Sequence, residues 1–221
     1  EKEQEKQAKR LAKEQEELRR LEGMREYDKE YELTCDYVCG IDEAGRGPLC
    51  GPVVAAAVIL PRGIEIEGLN DSKKLTEKKR EALFPEIQKR ARAWAIASAS
   101  AEEIDRINIL QATFLAMERA LAQLKIKPDL ALIDGNRQKD FGINVETVIK
   151  GDSRSANIAA ASVLAKVTRD DYMEAMATEY PGYGFEIHKG YGTKAHYAAL
   201  TEHGMCDAHR RSFLRKFYGE K

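Results

Sequence analysis

The chain has no apolar segment of membrane-spanning length. Its longest unbroken run, Val53 to Leu60, is eight residues, against the roughly 20 that a bilayer-crossing helix needs. A surplus of one charge is also missing: 36 basic residues face 37 acidic ones, for a net charge of −1. This excludes a histone-like polycation but leaves room for a local basic face that contacts phosphates. Cysteines are few, at positions 35, 39, 50 and 206, and none forms a C-x-x-C pair, so a zinc cluster is not expected. Cys35 and Cys39, four apart on a strand, would sit roughly 13 Å from each other, too far for a disulfide. Four reduced thiols in a cytoplasmic protein are expected. The opening Glu/Lys/Gln-rich stretch has no apolar core of the kind a secretory signal carries. A Gly-x-Ser-x-Gly elbow and a P-loop are absent, and Cys50 has no neighbouring base to make it a nucleophile.

What remains is a globular composition, 43% hydrophobic and 33% charged over 221 residues, enough for one sizeable α/β domain with an appendage. The texture changes near residue 34. Residues 1–33 hold 11 acidic and 9 basic side chains, and Leu11, Leu18 and Leu21 make only a thin apolar stripe. This predicts a solvated, charged helical extension rather than a core element. From 34 to 221 the chain reads as one domain ending in a basic helical segment. Tyr37–Ile41 and Val53–Leu60 have strand length and are joined by a Gly/Pro-rich loop, which favours antiparallel neighbours. Thr76–Ala93 reads as a helix kinked or interrupted at Pro85, and Trp94–Ser100 as a short strand. Ser100 and Glu103 match a capping box opening a long helix with Ile104, Ile107, Phe114, Met117, Leu121 and Leu124 on its buried stripe. Leu130–Ile133 and Val145–Ile149 read as further strands, and Ala156–Lys166 as an alanine-rich helix able to pack closely on a sheet. Strands followed by alternating strands and helices predict an α/β sheet with helices on its faces.

The most informative feature is where the acids fall. Asp42 and Glu43 follow an apolar strand, Asp134 follows Leu-Ala-Leu-Ile, and Asp152 follows Val-Ile-Lys-Gly. Any one of these suits an ordinary turn. Four carboxylates at three strand ends, however, repel one another unless a cation neutralises them, and hard oxygen ligands in a small group suit Mg²⁺ or Mn²⁺. Gly45-Arg46-Gly47 comes directly after the first acid pair. It departs from the dinucleotide fingerprint, because Gly45, Gly47 and Gly51 have the wrong spacing and Pro48 removes an amide. Its glycines permit close backbone approach to a ligand, with Arg46 available for a phosphate. Residues 73–92 carry a local charge of +5 and residues 187–221 a local +4. Both patches suit a polyanionic partner or simply a solvated surface. Tyr183, Tyr191 and Tyr197, set among Gly and Lys, suit stacking on a base or sugar, or equally the edge of a core.

At these residues the chain resembles the type 2 ribonuclease H family, ribonuclease HII. The resemblance rests on Ile41-Asp42-Glu43-Ala44-Gly45-Arg46-Gly47-Pro48-Leu49, on Gly51-Pro52-Val53-Val54-Ala55-Ala56-Ala57-Val58 and on Asn70-Asp71-Ser72-Lys73-Lys74-Leu75. It continues through Ile133-Asp134-Gly135, Lys150-Gly151-Asp152, the run from Ile158 to Asp170, and His188-Lys189-Gly190-Tyr191-Gly192-Thr193-Lys194 with His196. It covers about residues 36–217. The resemblance implies a ribonuclease H-like α/β fold, a mixed central sheet flanked by helices. It also implies metal-dependent endonucleolytic cleavage of the RNA strand in RNA–DNA hybrids, with incision 5′ of single ribonucleotides embedded in duplex DNA, leaving 3′-hydroxyl and 5′-phosphate ends. The implied catalytic, metal-holding acids are Asp42, Glu43, Asp134 and Asp152, on two Mg²⁺ or Mn²⁺ ions that bracket the scissile phosphate. The implied substrate contacts are Gly45, Arg46 and Gly47 as a ribose-sensing loop, Tyr191 on the sugar at the RNA–DNA junction, and Lys73 near the phosphates. Two departures stand out: Cys50 where the family usually has alanine, and Cys206-Asp207-Ala208 where a more apolar, proline-bearing run is usual.

Nucleic acid is the expected partner, with no membrane association and no need for more than a monomer. Three rival readings remain open at this level. They are a two-metal nuclease acting on branched or all-DNA substrates, a non-catalytic nucleic-acid-binding module, and a phosphate- or nucleotide-binding metabolic enzyme.

Overall fold

A computed structural model describes residues 2–219. Five strands form one mixed sheet in the order β3-β2-β1-β4-β5. β1 (Val38–Ala44), β2 (Val53–Ile59) and β3 (Ala93–Ala99) form an antiparallel meander. β4 (Leu130–Asp134) and β5 (Asn144–Val148) add to the other edge of β1 as parallel neighbours. β1 runs three residues further than its apolar stretch predicts, to Ala44, so Asp42 and Glu43 lie inside the strand rather than beyond it.

Every residue of β2 is buried, as expected of a strand covered on both faces. On one face Val53, Ala55, Ala57 and Ile59 pack with Cys39 and Ile41 of β1 against α3 (Ala101–Gln123). On the other, Val54, Ala56 and Val58 pack against α4 (Ala156–Glu179) and α2 (Glu77–Arg90). The alanines of α4 permit this contact. Ala159, Ala160, Ala161 and Ala165 are wholly buried, and a Cβ on Gly40 of β1 would fall 2.1 Å from the backbone carbon of Asn157. α2 continues through Pro85 without ending. The predicted capping box on α3 is present in both halves, with Glu103 N–H to Ser100 Oγ at 3.2 Å and Ser100 N–H to the Glu103 carboxylate at 2.9 Å. α3 is interrupted at Asn108 (φ 67°, ψ 164°). There the Asn108 carboxamide oxygen accepts from the amides of Leu110 and Gln111, restarting the helix like an N-cap. The C-terminal part holds three short helices, α5 (Phe185–His188), α6 (Lys194–His203) and α7 (Arg211–Leu214). No described helix is long and apolar enough to cross a membrane.

The N-terminal helix α1 (Lys2–Glu32) differs from a wholly solvated arm in its second half. Leu11 and Leu18 are exposed as expected, but Met24 is buried at 2% exposure, and Tyr27 and Tyr31 pack on Val38, Leu130 and Ile158. Asp28 is buried as well. One of its oxygens accepts from the Asn157 backbone N–H (3.1 Å) and side-chain amide (2.9 Å), at the N-terminal end of α4, where a negative charge meets free amides and the helix dipole. Its other oxygen has no partner. Burial raises the Asp28 carboxyl to a pKa of about 6.

A carboxyl whose pKa is higher when folded favours folding while protonated. That contribution is complete below the unfolded value near 4 and is lost as pH rises through about 6. Relative to Asp28→Asn, the wild type should therefore lose about 2 kcal/mol of stability between pH 4 and pH 7. Denaturant unfolding of both proteins across that range measures it, and parallel pH profiles would refute it.

Candidate active site

Strand parity decides which acids meet. β1 pairs in parallel with β4 from Val38 opposite Leu130 to Ile41 opposite Ile133, so Asp42 and Asp134 come next on their strands. Side chains alternate faces along a strand, and both residues share the α4 face, while Glu43 has the opposite parity. Asp152 arrives from the 3₁₀ turn Gly151–Ser153 that leads into α4. Asp42, Asp134 and Asp152 each present a carboxylate oxygen within 4.8 Å of the other two. Glu43 lies beside this trio and pairs with Arg46 at 3.3 Å.

These carboxylates are held by local backbone geometry. Asp42 accepts from the Glu43 amide at 2.7 Å, and Asp134 accepts from the Gly151 amide at 2.7 Å. Burial, then the charges of Glu43 and Asp134, push the Asp42 carboxyl well above the usual carboxylate range. Burial also raises Glu43, against the opposing pull of Arg46, and raises Asp152, with Asp134 adding repulsion. Lys73 reaches Asp152 at 3.7 Å. Burial works against its charge, but Asp42, Asp152, Asp71 and Asp134 outweigh that and raise its pKa. One flexible ammonium, exposed along most of its side chain, does not balance this many acids. The donor set therefore fits hard, oxygen-seeking divalent cations such as Mg²⁺ or Mn²⁺.

The loop that leaves β1 is shaped from beneath by two arginines that the sequence reading did not single out. Arg210 is wholly buried and donates to the carbonyls of Gly45 (2.6 Å), Arg46 (3.0 Å), Pro48 (2.8 Å) and Gly51 (2.9 Å). Arg169, 1% exposed, donates to the carbonyls of Cys50 (3.2 Å), Pro52 (3.2 Å) and Lys189 (2.9 Å). Gly45 sits at φ 93°, and a Cβ there would strike the Arg169 side chain at 2.0 Å, so only glycine fits. Carbonyls turned inward leave the other face of the loop to a ligand. A Cβ on Gly47 would lie 3.6 Å from the Tyr191 ring. Tyr191 is 47% exposed, with the Arg169 guanidinium 6.0 Å from its ring centre.

Other expectations change. Tyr183 is core: it is buried, stacks on Phe185 and donates to the Gly204 carbonyl. Tyr197 is partly exposed against Phe217. Arg210 lies within the basic stretch 187–221 but belongs to the interior, and Arg80 of the 73–92 patch is spent on the carbonyls of Ser72 and Leu75. A run of charge in sequence overstates the basic surface because it cannot tell an arginine that binds carbonyls from one that faces water. The sequence signal for both buried arginines was weak. Arg169 lies among Lys166, Thr168, Asp170 and Asp171, like any residue of a solvated helix turn, and Arg210 stands beside a second arginine.

Two acids at adjacent ends of parallel strands and a third from the turn before α4, with a glycine loop and an exposed tyrosine following on a mixed five-stranded sheet, define a ribonuclease H-like α/β enzyme. The fold matches that of ribonuclease H2 from Pyrococcus horikoshii OT3, with a TM-score of 0.67 and 27% identity over 84% of this chain and all of that one. The family model for ribonuclease HII matches residues 39–216. Ribonuclease HII from Dechloromonas aromatica is 62% identical over 176 residues, 80% of this chain and 90% of that protein. Ribonuclease HII from Vibrio campbellii is 57% identical over 188 residues, 85% and 87% of the two chains. The chain belongs to the ribonuclease HII family and is a ribonuclease H, an endonuclease of the type that cleaves the RNA of RNA–DNA hybrids.

Protons and metal ions compete for carboxylates with raised pKa values. The rise in melting temperature produced by millimolar Mg²⁺ should therefore be largest at alkaline pH and shrink steadily as pH falls through the raised values of Asp42, Glu43 and Asp152. Thermal unfolding with and without Mg²⁺ at several pH values tests this. A pH-independent shift would mean that the cation binds elsewhere.

Proposed function

We propose that this chain incises duplex DNA on the 5′ side of a single embedded ribonucleotide, as well as cutting long RNA–DNA hybrids, leaving 3′-hydroxyl and 5′-phosphate ends. The observation that carries this reading is the placement of the Tyr191 ring next to Gly47, in the loop that leaves the acid-bearing strand β1. A general DNA nuclease has no use for a backbone surface fitted against a sugar.

Asp42, Asp134 and Asp152, with Glu43 beside them, are the residues to hold two Mg²⁺ or Mn²⁺ ions. When bound, such ions lower the pKa of an attacking water and stabilise the charge developing on the leaving 3′-oxygen. The protein's own part is to fix the carboxylates and to read the sugar. The backbone of Gly45, Arg46 and Gly47 approaches closely enough to hydrogen-bond a 2′-hydroxyl, the group that separates ribose from deoxyribose. The Tyr191 ring stacks on the following deoxyribose, where a 2′-hydroxyl would crowd it. Arg46 and Lys73 lie on the acid side of this surface, placed to neutralise phosphate oxygens. The chain acts as a cytoplasmic monomer, with residues 34–221 as the catalytic domain and residues 1–33 as its extension.

The test is an end-labelled duplex containing one ribonucleotide, beside an all-DNA control, with Mg²⁺ or Mn²⁺. Cutting of the first alone, abolished by EDTA, is expected, whereas cutting of both would favour a general nuclease. Asp134→Asn should lower the rate by roughly 10³-fold or more, the worth of several kcal/mol of charge stabilisation. Tyr191→Ala should cost the single-ribonucleotide substrate about tenfold, within the roughly 1–3 kcal/mol of a stacking contact, and cost a long hybrid less. An equal loss on both substrates would remove Tyr191 from sugar recognition.

A further inference from the structure

The interior behind Tyr191 holds a second group of metal-ligating side chains. Cys50, His196 and His209 each offer one ligand atom, all within 4.8 Å of one another. Their exposures are 0%, 0% and 3%. They come from the loop after the glycine turn, from α6 and from the segment before α7, so no spacing rule links them. The one local hint is Cys206, three residues before His209.

The histidines already have the orientation of ligands. His196 Nδ1 lies 2.9 Å from the Tyr191 carbonyl, which requires a proton on Nδ1 and leaves Nε2 with a free lone pair. His209 points its own Nε2 at that of His196, 3.0 Å away. At this distance one nitrogen carries a proton and donates it to the other; two ring nitrogens on one Zn²⁺ sit roughly 3.3 Å apart, so the pair has only to open by a few tenths of an ångström to take an ion in the proton's place. With the proton on His209 Nε2, its Nδ1 accepts from the Cys206 backbone N–H at 3.0 Å. With the proton on Nδ1, the ring donates to the Cys206 carbonyl at 3.3 Å, and both Nε2 atoms are free. A ring nitrogen bonded to a backbone carbonyl is the usual outer support of a metal-bound histidine. Burial depresses the pKa of both rings, that of His209 to about 4, so both stay uncharged at neutral pH.

We propose that Cys50 Sγ, His196 Nε2 and His209 Nε2 form a binding site for a borderline-soft divalent cation, Zn²⁺ by donor chemistry, separate from the carboxylate site. On binding, the Cys50 thiol gives its proton to solvent and becomes a thiolate ligand. The His209 proton moves from Nε2 to Nδ1, and both imidazoles bind as neutral donors. One proton is released per ion. The ion ties the end of the glycine loop to α6 and to the segment carrying Arg210, three pieces otherwise joined by hydrogen bonds such as Leu49 N–H to the Gly190 carbonyl and Arg210 N–H to the Leu49 carbonyl.

The experiment takes the full chain, stripped with a chelator, and titrates it with ZnCl₂ and separately with CoCl₂. Expected are one zinc retained per chain after desalting, a melting temperature raised by on the order of 5 °C at saturating zinc, and a thiolate-to-cobalt charge-transfer band in the near ultraviolet. Cys50→Ala removes only the thiol, and its metal-free melting curve reports whether it still folds. It should lose the cobalt band and weaken zinc binding by more than the ~100-fold that an outer-shell partner is worth. Zinc retained equally by Cys50→Ala, or cobalt bound without the thiolate band, would assign the metal to the carboxylates and overturn the proposal. No zinc retained by the wild type would overturn it as well, leaving a proton between the imidazoles. None of these outcomes depends on which nucleic acid is cut.

Discussion

The parallel pairing of β1 with β4 is the constraint on which the rest of the structure depends. It brings Asp42 and Asp134 to the same level on the same face, and strand parity leaves neither an alternative. A one-residue slip would turn one of them to the opposite face. The like-charged pair is unfavourable in itself, and burial makes it worse. The sheet must therefore hold it from outside, through the continuous apolar packing of β2 and through α4 pressed onto Gly40. The same helix start that meets Gly40 is preceded by Asp152, so a close contact of backbone on backbone in the core also fixes the third carboxylate. The acids are close because the strands are, and the strands are close because small residues let α4 clamp them.

The glycine loop obeys a second constraint. Seven backbone carbonyls from residues 45–52 and 189 point at the guanidiniums of Arg169 and Arg210. Neither arginine has a carboxylate within ion-pair distance among the described residues. Burial lowers the pKa of Arg210 to about 9, still charged at neutral pH. Partial charges on carbonyls replace the water that each cation gives up. Because the same carbonyls set the path of the loop, cation and loop conformation stand or fall together. Under the proposed sugar recognition, a loop held this firmly is what a backbone surface needs to register one hydroxyl, since a mobile one would close over either sugar.

Much of this was legible in the sequence, for identifiable reasons. β1, β2 and β4 were readable because each is built on a short apolar run bounded by turn residues, β5 because Val and Thr alternate with polar residues, and the capping box at Ser100 because its two halves are local. The acids were readable because each ends such a run. What was not readable depends on distance along the chain. Glu43 is adjacent to Asp42, and only the pleat shows that it leaves the trio and turns to Arg46. Met24 and Asp28 sit in a charged helix with a thin apolar stripe, and their burial requires α4, some 130 residues later. Arg210 looks like one more surface cation until the loop carbonyls surround it. Tyr183 and Tyr191 have similar sequence surroundings, yet one stacks inside on Phe185 and the other stands at the mouth of the site.

The two clusters of ligating side chains differ in a way that bears on how each meets a cation. Around Asp42 the charge does not balance: three carboxylates and Glu43 face Arg46 and Lys73, both largely exposed at their tips, so metal-free protein must hold protons or repel itself. Around His196 the charge does balance. Two neutral rings satisfy one another and the backbone, and a cation there has to displace a proton from their hydrogen bonds. The first site gains by filling whatever else happens, and hard ions that keep their waters are enough for it. The second is filled only by an ion whose bonds to sulfur and nitrogen exceed the hydrogen bonds it replaces, which selects for softness rather than charge. Selectivity between the two follows from electrostatic imbalance at the strand ends and its absence behind Tyr191.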